Sequence, residues 1–234
     1  MQNDYYDRYW SEGYKHTGQR QGYAPNFLRW MERELAPATG DPRRHRGLEA
    51  GCGDASFTGA FARFHAETHA IDISPTQIEE NQKHHPGVLF RAHDLGVKLP
   101  YPDDHFETVW CSEVLEHLFD PLFALREFQR VLRPGGSLLV TVPYHGPFKN
   151  VLIALFKWEH HFDPEYPHLR FFTDRSLGTI ARKAGFSEVK FTTCGMSKPL
   201  RDFLIPTNLL MRATKSRPPA PSARSHAHLL PPHR

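Results

Sequence analysis

The sequence predicts an α/β fold built on a doubly wound, mostly parallel sheet. From residue 47 to about residue 142, short apolar segments typical of buried strands alternate with helical segments. Such alternation predicts parallel strands joined by helical crossovers. A turn of sequence Gly51-Cys52-Gly53 follows the first apolar segment, and Asp72 ends the second. Because right-handed crossovers bring the carboxyl ends of parallel strands to one edge, a ligand site is expected there.

Six strands and five helices follow from the local patterns. Runs rich in aliphatic and aromatic residues predict strands at 47–50, 68–72, 88–91, 107–111, 137–142 and 186–193. Apolar residues at helical spacing predict helices at 26–36, 56–65, 75–84, 120–132 and 174–184. In the first helix, Phe27, Met31 and Leu35 share one side. The turn Pro134-Gly135-Gly136 is expected to precede the fifth strand.

Composition and charge argue against several classes of protein. The 234 residues are 39% apolar, which is enough for one domain with a substantial core. The formal charge of +3 is small for a protein that coats nucleic acid. The three cysteines are widely spaced, so no disulfide framework is implied and a reducing cytoplasm is the expected location. No apolar run approaches the roughly 20 residues of a membrane span.

The chain is expected to divide into three parts. Residues 1–24 are rich in tyrosine and tryptophan, which fits either a surface segment held by aromatic anchors or a lid over a substrate. Residues 25–215 are the expected folded domain, with an insertion at 144–172 that covers the substrate site. Residues 216–234 are rich in proline, serine and histidine, a composition that favours a disordered tail.

The glycine turn favours an amine-bearing ligand over a dinucleotide. Glycine tolerates positive φ and lets a ligand approach the backbone closely. A dinucleotide site, and hence a dehydrogenase, would have a third glycine where this chain has Ser56. The acid Glu49, directly before the turn, would repel a pyrophosphate but could bind an ammonium group.

Four motifs in order resemble one family. The segment 49–55 resembles the first motif of the class I S-adenosylmethionine (SAM) methyltransferases, with Ala55 in place of the final glycine. Together with Asp94 and the segments 102–118 and 132–143, it resembles the ubiquinone-biosynthesis O-methyltransferase type over roughly residues 45–195. The resemblance implies a Rossmann-like, seven-stranded sheet in which 207–214 is an antiparallel edge strand.

The same resemblance implies SAM as the cofactor and assigns its contacts. Glu49 would bind the methionine amino group, Asp72 the ribose hydroxyls and Asp94 the adenine amino group. The full set implied for the cofactor is Glu49, Gly51, Cys52, Gly53, Asp72, Ile73, Asp94, Leu95 and Ser112.

The motif Glu113-x-x-Glu116-His117 follows the fourth strand at the ligand edge. The two carboxylates are three residues apart and would share a face of a helical turn. Burying them together is costly unless a cation lies between them. Oxygen-rich ligation favours Mg²⁺ or Mn²⁺. Without a metal, His117 would be a general base or a wall of the pocket.

The insertion supplies a fourth candidate ligand, His168. The sequence His168-x-x-Phe-Phe-Thr resembles the segment that supplies a metal-binding histidine in quinone O-methyltransferases and small-RNA 2′-O-methyltransferases. His160, His161 and Asp163 are nearby alternatives. A metal would lower the pKa of an acceptor hydroxyl, and a neighbouring histidine would take the proton.

Two catalytic arrangements and several functions remain open. His117 is a metal ligand with His145 or His161 as base, or His117 is the base itself. The leading function is SAM-dependent O-methylation of a small molecule, such as a catechol, a quinone precursor or a sugar. Methylation of an RNA 2′-hydroxyl is disfavoured because no concentrated basic stripe is present. A catalytically silent SAM-binding protein is the alternative of a different class.

Overall fold

The computed structural model describes residues 5–6, 22–36, 45–162, 168–195 and 205–217. Most of the predicted lid and of the predicted tail lies outside these ranges, as do Asp163 and the side chain of His160. The three-part division of the chain therefore stays a prediction.

Seven strands form one sheet within the described residues. Their order across the sheet is β3-β2-β1-β4-β5-β7-β6. The strands from β1 to β5 pair in parallel, and β7 is antiparallel to both β5 and β6. The bounds are β1 Arg46–Ala50, β2 Glu67–Asp72, β3 Leu89–Ala92, β4 Phe106–Ser112, β5 Leu132–Pro143, β6 Phe186–Cys194 and β7 Asn208–Lys215.

The predicted fold class is confirmed, with two corrections of detail. The antiparallel strand exists, but β6 covers its outer side, so it lies one strand in from the edge. The fifth strand begins at Leu132, before the Pro134-Gly135-Gly136 sequence that predicted a turn. The pairing shifts register between Phe106 and Thr108, so the extra residues of β5 form a bulge and the strand continues.

Seven α-helices lie within the described ranges. They are α1 Ala24–Leu35, α2 Thr58–Ala62, α3 Pro75–His84, α4 Pro121–Val131, α5 Pro147–Phe156, α6 Trp158–His161 and α7 Asp174–Lys183. A 3₁₀ turn spans Leu115–His117. The second helix is shorter than the predicted 56–65. Proline is the first residue of α3, α4 and α5, a position at which the helix offers no acceptor for a backbone N–H.

Both faces of the sheet are covered. Successive residues of a strand point to opposite faces, and in β4 Val109 and Cys111 belong to one buried cluster while Trp110 belongs to another. The first cluster includes residues of α4 and α7, and the second includes residues of α1 and α2. With both faces covered, the strand ends are the accessible part of the sheet.

No helix of the described residues is long and apolar enough to cross a membrane.

A capping box fixes the start of α7, directly after the segment that carries His168. Thr173 Oγ1 accepts a hydrogen bond from Ser176 N at 3.1 Å, and Ser176 Oγ accepts one from Thr173 N at 2.9 Å. These bonds satisfy amide groups that the helix itself leaves unbonded.

Thr173→Ala should lower the free energy of unfolding by about 1 kcal/mol, because the Ser176 amide loses its acceptor. The melting temperature should fall by about 2–4 °C in thermal denaturation followed by circular dichroism. Thr173→Ser, which keeps the hydroxyl, is the control and should melt within about 1 °C of the wild type. Equal melting temperatures for the alanine variant and the wild type would contradict this account of the cap.

Candidate functional site

The candidate site lies at the edge of the sheet where the parallel strands end. Ala50, Asp72, Ser112 and Pro143 are the last residues of β1, β2, β4 and β5. Because these strands run in the same direction, the segments that follow them meet along this edge.

The turn after β1 is held in left-handed backbone conformations. Gly51 has φ +77° and Gly53 has φ +49°. A Cβ atom on Gly51 would lie 2.4 Å from Val114 Cγ2, so glycine is required here by space as well as by φ. Ala55 also has a positive φ, 56°, which costs a residue with a Cβ about 1–2 kcal/mol. This strained position is the one at which the sequence departs from the motif that it resembles.

Asp72 braces the turn from the end of β2. Its Oδ2 accepts a hydrogen bond from Gly53 N at 2.9 Å, and its Oδ1 accepts one from Ser74 N at 3.0 Å. Asn81 Nδ2 donates to Gly53 O at 2.7 Å, a contact that the motif analysis missed. The ribose-binding role of Asp72 stays a prediction.

Glu49 is a buried acid beside the turn. Its side chain is 2% exposed, and its Oε2 has no hydrogen-bonding partner among the described residues. Burial raises the pKa of Glu49 to about 8; Asp54 and Asp72 add to the rise, and the Thr58 hydroxyl opposes it. An acid left unpaired in this way is suited to receive a cationic group.

The other residues predicted for the cofactor surround the same edge. Cys52 and Leu95 are buried, and Ile73 is half-buried. Ser112 Oγ lies 2.9 Å from Thr141 Oγ1. Asp94 Oδ1 accepts a hydrogen bond from Gly96 N at 2.7 Å, which closes a local turn. Their cofactor roles stay predictions.

Three of the four predicted metal ligands converge. Glu116 Oε1 lies 3.7 Å from His117 Nε2 and 3.8 Å from His168 Nε2. One candidate ligand atom from each residue lies within 4.8 Å of the others. Neither carboxylate oxygen of the buried Glu116 has a hydrogen-bonding partner among the described residues. We call this group the Glu-His-His cluster.

Backbone hydrogen bonds bring the distant His168 to Glu116. The carbonyl oxygen of Glu116 accepts from Leu169 N at 2.8 Å and from Arg170 N at 3.0 Å. Arg170 Nη2 also donates to Phe119 O at 2.7 Å. The segment after His168 is therefore tied to the 3₁₀ turn that carries Glu116 and His117.

The remaining predicted ligand, Glu113, points elsewhere. Its Oε1 accepts a hydrogen bond from Thr141 Oγ1 at 2.9 Å, and its Oε2 accepts one from Asn208 Nδ2 at 3.1 Å. Its ligand atoms are not part of the Glu-His-His cluster. The motif spacing predicted convergence, but the left-handed backbone of Glu113, φ 52°, does not continue a helical turn.

Burial moves the pKa values of Glu116 and His168 in opposite directions. Burial raises the pKa of Glu116 well above its usual range, and Glu113 adds to the rise. Burial lowers the pKa of His168 to about 3, and the neighbouring His117 and His145 add to the fall. Burial disfavours the charged form of an acid and of a base alike, so both shifts favour the neutral side chains.

His145 and His161 lie beside one another on the insertion side of the site. Their ring centroids are 5.1 Å apart. His145 is buried, and its Nδ1 lies 3.2 Å from Asn150 Oδ1. His145 Nε2 has no partner among the described residues. Burial lowers the pKa of His145 to about 4, and Lys149 adds to the fall.

Two further residues near the site, Lys149 and Tyr6, were not among the predicted site residues. Lys149 Nζ donates to Tyr144 O at 2.7 Å, and burial lowers the pKa of Lys149 to about 8 while Glu113 opposes the fall. Tyr6 lies edge-on to His117 with ring centroids 6.2 Å apart. The tyrosine-rich N-terminus signalled the second contact, whereas nothing in the local sequence marked Lys149.

A second group of residues with metal-ligand spacing lies at the amino ends of the parallel strands, on the side of the sheet away from the candidate site. It consists of Glu67, His69 and His105. His69 Nε2 is 2.6 Å from Glu67 Oε1, and Arg46 Nη1 is 2.9 Å from His105 Nδ1. Arg46 already supplies a positive charge to this group, so its polar atoms are partnered without an ion.

Ala55→Gly should raise the free energy of unfolding by about 1 kcal/mol, because glycine adopts positive φ without the Cβ penalty. The melting temperature should rise by about 2–4 °C in differential scanning calorimetry. Ala60→Gly in α2 is the matched control and should destabilise by about 1 kcal/mol, since Ala60 lies in a right-handed helix. A fall in melting temperature for both variants would show that the strain at Ala55 is not relieved by glycine.

Comparison with known proteins agrees with this geometry. A methyltransferase-domain family matches residues 17–190. A malonyl-[acyl-carrier protein] O-methyltransferase of Halorhodospira halophila is 40% identical over 116 residues, covering 47% of this chain and 38% of the relative. A ubiquinone biosynthesis O-methyltransferase of Xanthomonas campestris is 34% identical over 103 residues, covering 41% of this chain and 42% of the relative. The chain thus matches less than half the length of either relative.

Among solved structures, a SAM-dependent methyltransferase of Mesorhizobium loti superposes with a TM-score of 0.64 at 17% identity. The match covers 85% of this chain and 100% of that protein. At this identity the likeness concerns the fold, which is the α/β Rossmann-like fold of class I SAM-dependent methyltransferases. The match over residues 17–190, well over half of the sequence, shows that the chain belongs to the methyltransferase-domain family.

Proposed function

We propose that this protein transfers a methyl group from SAM to a hydroxyl of a small, largely apolar molecule, with a divalent metal ion at the Glu-His-His cluster. Family membership supports the reaction type. The acceptor, the metal and the residue roles are inferred from the site.

The observation that carries the proposal is the buried Glu49 carboxyl, whose Oε2 has no hydrogen-bonding partner among the described residues, beside the strained glycine turn. A protein loses stability by burying such a group and by holding Ala55 at positive φ. Both losses of stability are offset when a ligand with a cationic amine binds beside the backbone. SAM has such an amine, and it supplies a methyl group on a sulfonium.

The chain's own residues bind and orient the cofactor. Glu49 receives the amino group, and the Gly51-Cys52-Gly53 turn provides a backbone surface without side chains. Asp72 holds this turn through Gly53 N, and a carboxylate is suited to accept hydrogen bonds from ribose hydroxyls. A fixed donor geometry matters because methyl transfer is an in-line displacement.

The donor set of the Glu-His-His cluster fits a divalent ion. Glu116 offers one or both carboxylate oxygens, and His117 and His168 offer imidazole nitrogens. Neither carboxylate oxygen of Glu116 has a hydrogen-bonding partner among the described residues, so a cation would offset the cost of burying this acid. Two imidazoles with one carboxylate favour Mn²⁺ over Mg²⁺, which prefers oxygen ligands. A bound ion would lower the pKa of an acceptor hydroxyl.

His145 is the best candidate to accept the hydroxyl proton. Asn150 Oδ1 is an acceptor, so Nδ1 of His145 carries the ring proton and Nε2 keeps its lone pair. That nitrogen has no partner among the described residues. Because the imidazole is neutral at physiological pH, it is in the form that can take a proton. His161, whose ring lies beside it, is the alternative.

The surroundings of the cluster favour an apolar acceptor over a sugar. Most of the large apolar side chains that are exposed among the described residues lie near residue 119 or between residues 148 and 171. They are Phe119, Phe148, Val151, Leu155, Phe156, Trp158, Leu169 and Phe171. Exposed apolar side chains near a polar site are typical of a binding site for an apolar ligand. The same observation disfavours RNA, which requires a basic surface.

Calorimetry tests the proposal in three steps. S-adenosylhomocysteine is titrated into EDTA-treated protein, then Mn²⁺ and Mg²⁺ are titrated in parallel, and finally SAM turnover is measured by mass spectrometry. The acceptors are alkyl-substituted catechols and hydroquinones, sugars, and an RNA oligonucleotide with a free 3′ end. Methylation of the catechols or hydroquinones is expected. Methylation of the RNA alone would favour the 2′-O-methyltransferase alternative, and tight binding without turnover would favour a silent SAM-binding protein.

The affinity for S-adenosylhomocysteine should rise with pH because the ammonium group requires ionised Glu49. With a pKa of about 8 in the unliganded protein, the affinity should increase about tenfold from pH 6 to pH 7 and level off above pH 8. The raised pKa also means that the unliganded protein loses stability as pH rises from 4.5 to 8. Glu49→Gln, which cannot ionise, should bind more weakly and with a flat profile. Parallel pH profiles for the two proteins would exclude Glu49 as the amine site.

His168→Ala should reduce metal-dependent turnover at least tenfold while leaving S-adenosylhomocysteine affinity unchanged, because His168 belongs to the cluster and not to the glycine turn. Asp72→Ala should do the reverse and weaken binding of S-adenosylhomocysteine. The control is His84→Ala, at an exposed position on α3, which should alter neither. Full turnover in the His168 variant would remove it from the ligand set.

A further inference from the structure

We infer that Glu113 is a positioning residue and not a metal ligand: its carboxylate fixes the turn after β4 by bonding to Thr141 and Asn208. The inference rests on the proposed metal site, whose ligands are then Glu116, His117 and His168. In the Glu-x-x-Glu-His motif, the first acid, Glu113, is then structural, and the second, Glu116, is a metal ligand.

The hydrogen bonds of Glu113 cross three strands. Thr141 lies in β5 opposite Ser112, the residue before Glu113, and Asn208 is the first residue of β7. Both carboxylate oxygens accept from these side chains, and Glu113 N donates to Thr141 O at 2.9 Å. Glu116 differs sharply, since neither of its oxygens has a partner among the described residues. Paired oxygens indicate a structural acid, and unpaired ones a ligand acid.

The backbone at Glu113 explains what these bonds stabilise. A non-glycine residue at φ 52° is strained by about 1–3 kcal/mol and persists only when its surroundings hold it. The left-handed turn directs Val114 against Gly51, where a Cβ would lie 2.4 Å from Val114 Cγ2. It also begins the 3₁₀ turn that presents Glu116 and His117. Glu113 thus connects the glycine turn to the Glu-His-His cluster.

Replacing Glu113 by glutamine should preserve its positioning role. A glutamine oxygen can accept from Thr141, and its amide nitrogen can donate to Asn208 after the Asn208 amide rotates. Asn208 Oδ1 is buried and has no partner among the described residues, so the rotated amide has an acceptor ready. A metal ligand would respond differently, because replacing a ligating carboxylate by a neutral amide removes the charge that binds the ion.

The experiment measures Mn²⁺ affinity by calorimetry and the melting temperature in EDTA for the full chain. Glu113→Ala should weaken Mn²⁺ binding at least tenfold, and Glu113→Gln should restore it to within about threefold of the wild type. Glu116→Gln is the matched control, and its affinity for Mn²⁺ should fall at least tenfold. Equal losses for the Glu113→Gln and Glu116→Gln variants would overturn the inference and make Glu113 a ligand.

The melting temperatures in EDTA decide the matter even if no metal binds. Glu113→Ala and Asn208→Ala should each melt at least about 3 °C below the wild type, because each breaks the same buried network. Glu116→Gln should melt at or above the wild type, since it removes an unpaired buried carboxyl. Failure of the wild type to bind Mn²⁺ would count against the proposed metal site alone. If both alanine variants melted at the wild-type temperature, the positioning role of Glu113 would be overturned.

Discussion

The cost of burying carboxyl groups at one edge of the sheet is the constraint on which the rest of this structure depends. Glu49, Glu113 and Glu116 all lie at the ends of neighbouring parallel strands, and burial raises the pKa of each. Only Glu113 has hydrogen bonds to both oxygens, from Thr141 and Asn208. A fold keeps an unpaired buried acid where a ligand later supplies the missing charge. The two acids without full pairing are the ones that we propose as the sites for the amine and for the metal ion.

The two halves are mechanically connected. The turn after β1 and the turn after β4 touch where Gly51 meets Val114, and both turns contain residues in left-handed conformations. Because cores are close-packed, a shift in one turn must be accommodated by the other. The proposed amine site and the Glu-His-His cluster consequently share one rigid support, which suits a reaction in which a methyl donor and an acceptor hydroxyl must be aligned.

The segment between β5 and α7, predicted to be an insertion, carries three residues that lie near the candidate site. His145 and Lys149 lie at its start and His168 near its end. The segment returns beside the sheet through a bridge between Tyr144 and Phe172, and His145 N donates to Phe172 O at 2.8 Å. These bonds hold the two ends of the segment beside each other, and the bonds from Leu169 N and Arg170 N to Glu116 O connect it to the cluster. The exposed apolar side chains of the segment form the surface that we propose for the acceptor.

Local sequence determined the alternation of strands and helices, the glycine turn and the two acids Glu49 and Asp72, because side-chain periodicity and glycine conformations are encoded within a few residues. Tertiary structure decided the rest. The backbone N–H groups of the two residues after His168 donate to Glu116 O, about fifty positions earlier in the chain, and so bring His168 to Glu116. Glu113 turns away from the cluster toward Asn208, ninety-five positions later. Motif spacing cannot reveal either outcome, since the direction of a side chain depends on partners that only the folded chain brings together.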